Sequence, residues 1–236
     1  MPVPSPQRYM SVGRRQGVEA VTLDNAIAAF ARIRATDTRI TPVLTLRHLS
    51  ALTGLPFLFL RRPVARRERV SYRKGYLKKR SPGRSTKRLI LIPPKSLAVA
   101  QNWLVQNVLR YTVAHPASFA FHPESSPVQA AEQHPSTKWL LKVDIQDFFH
   151  SVSEGRVSAI FAGLGFPKLL AFELARLCTV AADRGAGKNP QPFAGPINYY
   201  DNPFEGFLPQ GAATSPMLAN LAMVSVDEAL SGIAKR

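Results

Sequence analysis

A chain of the α/β class, of the mixed α+β kind, is predicted by three features of this sequence. Apolar residues recur at helical spacing in six separate segments. Two apolar runs, RLILIPP (88–94) and WLLKVDI (139–145), are short enough to be strands. Between the helical segments lies a basic stretch, 61–88, whose tyrosines and SPG turn give it a hairpin pattern.

The elements follow in order. Thr22 is a candidate cap for a helix with Ile27, Phe30 and Ile33 on its apolar face. Thr45 opens a second, shorter helix with Leu46, Leu49 and Leu52, and Gly54 ends it. The segment Arg61–Arg88 holds thirteen lysines or arginines in 28 residues and one acid, Glu68. RLILIPP reads as a strand stopped by Pro93 and Pro94. From Ser96 a helix presents Leu97, Ala100, Trp103, Leu104, Val108 and Tyr111. WLLKVDI reads as a buried strand. Ser151 and Glu154 then match a capping box. The helix behind them carries Val157, Ile160, Phe161 and Leu164, and Gly163 and Gly165 stop it. Pro167 opens a further helix through Leu170, Leu174 and Leu177, expected to reach Gly185. The Pro/Gly-rich stretch from Gly185 to Gly206 reads as a loop. Ser215 and Pro216 stand as N-cap and first position of the last helix.

Composition narrows the function. The 236 residues carry a formal charge of +16, which calls for a polyanionic partner, nucleic acid first and an anionic membrane surface second. A single cysteine, Cys178, excludes an intramolecular disulfide and fits a reducing, cytoplasmic setting. The first residues place no apolar run behind their charges, so no secretory leader is expected. No uncharged apolar stretch is long enough to cross a bilayer, so no membrane span is expected, and nucleic acid rather than a membrane is the expected partner.

Three places carry chemistry. Asp144 is an acid inside an apolar run, where burial without a partner is expensive. It is either a metal ligand at a strand end, or one half of a salt bridge or an edge residue. Phe148 and Phe149 follow it, and a ring there suits closure against a sugar; Phe148 is expected in the core and Phe149 outside it. Gln210 and Gly211 come next. A turn glycine lets a ligand approach the backbone, and a glutamine beside it both donates and accepts hydrogen bonds. A plain loop-to-helix turn is the alternative. The third is Arg88, at the start of the RLILIPP strand. A guanidinium there can grip a phosphate at two points. Its basic neighbours Arg73, Lys74, Lys78, Lys79, Arg80, Arg84 and Lys87 suit a nucleic-acid backbone held by charge rather than by sequence.

In this order the motifs resemble a reverse transcriptase of the bacterial kind, close to retron and group II intron enzymes. KRLILIPP resembles the strand of the fingers that opens with an arginine, SLAVAQNWLVQNVL the helix after it, and LKVDIQDFFHSV the first palm motif. LPQGAATSPMLANLAM is similar to the second palm motif nearly letter for letter, with Ala213 where the family usually has proline. The resemblance implies an N-terminal helical extension (1–60), basic fingers (61–136) and an incomplete palm (137–236) of a right-hand polymerase. It implies RNA-directed DNA synthesis by two-metal nucleotidyl transfer, as in retron, mobile-intron or phage-defence (antiviral) settings. Partners would be an RNA template, a DNA primer or an RNA–DNA duplex, and deoxynucleoside triphosphates. Asp144 and the carbonyl of Ile145 would hold magnesium (Mg2+). Phe149 would exclude the ribose 2′-hydroxyl, Gln210 and Gly211 would line the nucleotide, and Arg88 would hold its triphosphate.

One departure is large. The family's acidic YxDD hairpin should follow the second palm motif, yet no Asp-Asp dipeptide occurs in the 236 residues. The chain is therefore expected to be truncated before that hairpin and before the thumb, and inactive alone. The hairpin would come from a second polypeptide if the enzyme is split. The alternative is a non-catalytic RNA-binding module. Asp147, Asp227 and Glu228 are not expected to replace the missing ligands.

Overall fold

The computed structural model describes residues 6–66, 72–78, 87–122, 125–135, 138–181 and 206–234. Four helices come first: α1 (Pro6–Arg15), α2 (Ala20–Thr36), α3 (Leu46–Thr53) and α4 (Phe57–Ala65). An antiparallel pair follows, β1 (Arg73–Lys78) with β2 (Lys87–Ile92). Then come α5 (Lys95–Asn107), a 3-10 turn (Leu109–Tyr111), α6 (Pro127–Glu132), α7 (Phe148–Ser151), α8 (Glu154–Gly163) and α9 (Lys168–Cys178). A two-residue pair, β3 (Val180–Ala181) with β4 (Gly206–Phe207), precedes the long α10 (Ser215–Ala234).

Local signals fix several of these elements. At α3 the Thr45 hydroxyl accepts the His48 N–H at 3.1 Å, and Gly54 closes the helix in the left-handed region at φ 69°. Such a cap contributes about 1 kcal/mol. The first cap is misplaced, however. α2 begins at Ala20 behind Glu19, so Thr22 already lies inside the first turn. The basic segment opens as helix, because α4 carries Arg61 and Arg62 and runs on past Pro63 to Ala65. The domain boundary expected after residue 60 therefore falls within a helix. The β1–β2 register, Arg73 opposite Ile92 and Lys78 opposite Lys87, bears out the hairpin. Its SPG turn lies outside the described residues, with Lys79, Arg80 and Arg84, and so does the loop expected over 185–205.

The core is built around α9. Every residue from Leu170 to Cys178 is buried, against α8, α4 and α5. A helix buried all round has no polar stripe, which is why periodicity marks its start better than its end. The expected continuation to Gly185 is wrong. α9 stops at Cys178, and Val180 and Ala181 turn into β3. Burial holds the Cys178 thiol neutral, pushing its pKa up to about 12. Gln101, also buried, sends its side-chain N–H to the Leu177 carbonyl at 2.9 Å and so joins α5 to the end of α9.

A buried ionic cluster ties α4 to α8 and α9. The Glu154 carboxylate receives Arg176 Nε at 3.1 Å, the Arg66 guanidinium, and the Thr179 hydroxyl at 3.0 Å. Arg176 also donates to the Val64 carbonyl at 2.8 Å, and its guanidinium lies 4.4 Å from the Phe172 ring centre. The capping box read from Ser151 and Glu154 is thus corrected. Ser153 caps α8 by accepting the Arg156 N–H at 3.3 Å, and Glu154 is taken by the arginines instead.

α10 meets the 3-10 turn, α7 and α8. Its first half, Met217–Ala222, supplies core residues, while Val226, Leu230 and Ile233 are exposed. By length and composition alone this helix could cross a membrane. Asp227 and Glu228 interrupt its apolar run, and its packed first half is that of a core helix.

Candidate nucleotide and nucleic-acid site

The LPQG turn is where the sequence's separate motifs meet. Leu208 donates its N–H to the Val152 carbonyl at 3.1 Å, and Ser153 bridges Phe207 beside it. Two residues on, the Gln210 carbonyl accepts the Leu91 N–H at 2.7 Å. The turn is thus strung between the α7–α8 junction and β2. The Ser215 hydroxyl donates to the Pro209 carbonyl at 2.7 Å and ties the base of the turn to α10. Ser215 is therefore already in the helix, fastening the turn rather than capping α10 as expected.

Gly211 is required by this geometry. Its φ is 125°, a region L-residues avoid. A Cβ on it would meet Ile90 Cγ2 at 2.7 Å and the Leu91 carbonyl oxygen at 2.8 Å. Strand alternation puts Arg88 on the same face of β2 as Ile90. The turn carrying Gln210 and Gly211 therefore lies along the edge of β2, against Leu91 and Ile90, and the exposed Arg88 stands two residues from Ile90 on the same side of the strand. Arg73 and Lys74, on the neighbouring β1, are also exposed, and Lys78 and Lys87 pair at the outer end of the hairpin.

The segment around Asp144 differs from the expectation. WLLKVDI forms no strand: residues 139–145 are irregular and exposed, Trp139 at 91% and Leu141 at 88%. A strand needs a neighbour for its N–H and C=O groups. Among the described residues the two sheets pair β1 with β2 and β3 with β4, and this run pairs with neither. Asp144 and Ile145 accordingly lie exposed, and the buried environment expected around Asp144 is absent. Asp147 stands at φ 50° before α7 and makes no capping bond with its side chain. Among the described residues, no three His, Cys, Asp or Glu side chains come together as a metal site would need. One carboxylate and one carbonyl do not fit a pair of divalent ions.

Phe148 and Phe149 are not separated by burial as expected. Both are half-buried and both pack on the core. Phe149 sits edge-on to Phe121, ring centres 6.2 Å apart, and tilted on Phe148 at 5.9 Å. Sequence reasoning missed Phe121, whose signal is the aromatic pair in SFAFHP. It also missed Ile90 and Leu91 as the seat of Gly211, and Arg66, Glu154 and Arg176 as the tie behind the site.

Residues 77–234 match the family described as reverse transcriptase (RNA-dependent DNA polymerase). Over 163 residues, 69% of the chain, the sequence is 28% identical to the retron Ec86 reverse transcriptase of Escherichia coli, covering 43% of that protein. It is 33% identical over 154 residues to the retron Mx162 reverse transcriptase of Myxococcus xanthus, covering 64% of this chain and 30% of that one. To the retron Mx65 reverse transcriptase of the same organism it is 30% identical over 171 residues, 72% of this chain and 38% of the other. The chain thus spans less than half the length of each of these relatives.

Proposed function

The chain belongs to the reverse transcriptase family, and from that premise we propose that it serves RNA-directed DNA synthesis of the retron type. In this reading it supplies basic fingers (61–136) and part of a palm (137–236), and works in the cytoplasm. One observation carries the reading. The Gln210–Gly211 turn is bonded to the edge of β2 and packs against Ile90, two residues from Arg88, although more than a hundred residues separate them in the chain. Arg88 grips the triphosphate of a deoxynucleotide. Gly211 lets that nucleotide come close to the backbone, Gln210 hydrogen-bonds beside it, and the Phe149 ring limits the space at the sugar 2′-position. Asp144 is the carboxylate that this chain brings to the reaction centre. Magnesium, which prefers several oxygen ligands, needs carboxylates beyond Asp144. We assign those to an acidic YxDD hairpin supplied with a thumb by other residues, on this polypeptide or a second one. That no second carboxylate joins Asp144 among the described residues favours a second reading, a template-binding module without catalysis.

Two measurements test the binding half of this assignment. Affinity for an RNA–DNA duplex, titrated by filter binding across salt, is expected to fall steeply. Each phosphate neutralised adds about 0.7 to 0.9 to the log–log slope, so five contacts from the hairpin give a slope of roughly −4. A flat response would remove the hairpin from the interface. In an active, complemented enzyme, Phe149→Val is expected to raise ribonucleotide incorporation on the order of tenfold, the scale on which a pocket discriminates by shape. Ribonucleotide use as poor as the parent's would make Phe149 a packing residue alone.

A further inference from the structure

A second basic surface, built from none of the residues assigned above, lies around the 3-10 turn. Arg39, from the loop after α2, and Arg110 lie 5.1 and 5.5 Å from the ring centre of Tyr111. With His115, Phe119 and His122 they line an open cleft of about 430 Å³, closed on one side by α6. Among the described residues no aspartate or glutamate lines it, though Asp37 stands behind Arg39. A second depression of about 790 Å³ shares His115, Phe119 and Gln133 with the first, so the two form one trough rather than a closed pocket.

The polar groups are set in advance. Asp37 accepts Arg39 Nε at 3.1 Å and its terminal N–H at 2.8 Å, which fixes the guanidinium beside the tyrosine ring. Arg39 in turn holds the Asp37 carboxyl down to about 2. Arg110 is steadied from α5 by Gln106 at 3.1 Å. His115 Nδ1 accepts the Ala117 N–H at 3.1 Å, so in the neutral ring the proton sits on Nε2, which is left as a donor at the wall. Guanidinium planes, imidazole and phenyl faces together suit unstacked bases, while the charge of Arg110, which no carboxylate offsets among the described residues, suits a phosphate between them and Arg39, paired with Asp37, adds its remaining N–H donors. A duplex hides its base faces, and a lone nucleotide would fill only part of the trough.

We infer that this trough binds a single-stranded stretch of RNA, with Arg39 and Arg110 on its backbone and the rings of the trough against its bases. The test uses the full chain, a fluorescein-labelled oligouridylate of about 12 nucleotides, an RNA–DNA duplex of equal length, and UTP, read by fluorescence anisotropy at one salt concentration. Arg110→Gln is expected to weaken the oligouridylate about fivefold or more and, in a parallel salt titration, to lower its salt slope by about 0.7, while duplex affinity stays within about twofold. Gln133→Glu, which brings an acid to the shared wall from beyond the end of α6, is expected to give the same selective loss, and circular dichroism checks the fold of both variants. Equal losses on single strand and duplex would reduce the trough to bulk charge and overturn the inference. So would no loss on either, or UTP competing as well as the oligonucleotide does.

Discussion

A polypeptide of these 236 residues, given template, primer, deoxynucleotides and magnesium, is expected to bind the duplex and extend it at least about a thousandfold more slowly than a complemented enzyme. That factor corresponds to about 4 kcal/mol of transition-state stabilisation. The argument is one of donors. Metal ions beside a triphosphate need several carboxylates to hold them, and in the proposed assignment Asp144, exposed in an irregular segment, is the one among the described residues. Adding a polypeptide that carries the YxDD hairpin and thumb is expected to restore extension, and Asp144→Ala to abolish it again. The exposed run from Trp139 to Ile145 is expected to gain protection from hydrogen exchange in that complex, because a new strand neighbour satisfies its backbone. Robust extension by the chain alone, lost on Asp144→Ala, would show that other ligands complete the site. Asp147, Asp227 and Glu228 would then be the residues to substitute next. Failure of every complementing partner, with duplex binding intact, would leave the binding module as the function.

The second large effect is on stability. Glu154→Ala is expected to destabilise the fold by about 3 to 5 kcal/mol, since it strands buried arginine charge without a counter-ion. That is a large part of the roughly 5 to 15 kcal/mol by which folded proteins persist. Arg176 and Arg66 both lean on this one carboxylate, and Arg176 carries the tie on to the Val64 carbonyl. Glu154→Gln keeps the shape and the hydrogen-bonding oxygen but removes the charge, and a loss nearly as large is expected from it. Urea unfolding followed by circular dichroism measures both. Midpoint shifts equivalent to less than about 1 kcal/mol would mean that the cluster relaxes to water when opened, as exposed pairs do. Arg66 sits where the chain leaves α4 for the basic hairpin, so a milder variant such as Thr179→Val should loosen the cluster without unfolding the chain.

Residues whose conformation depends on near neighbours are legible in the sequence. Thr45 and Gly54 bound their helix through bonds and dihedrals that lie within a few residues. Pro93 and Pro94 stop β2 because proline lacks the N–H a ladder uses. The helical spacing of Val157 and Phe161 reports a buried face directly. Even the importance of Gly211 is readable, since a turn glycine beside a glutamine is a local signal. What it touches is not. Its seat on Ile90 and Leu91 depends on the LPQG turn folding back over a strand far away in the chain. Glu154 shows the same limit. Its spacing from Ser151 fits a cap, but two arginines brought from α4 and α9 offer a buried carboxylate far more than a helix N-terminus does. The run WLLKVDI makes the point most sharply. Its apolar content favours a strand, yet strand pairing is a property of two segments, and no neighbour is present among the described residues. Residue chemistry therefore decided the apolar faces of the main helices, the Thr45 and Gly54 bounds of α3, the β1–β2 hairpin and the family. Tertiary contact alone decided which buried charges pair, where the turn lands and whether Asp144 has a sheet to stand on, because each of those energies belongs to groups that meet only when the chain has folded.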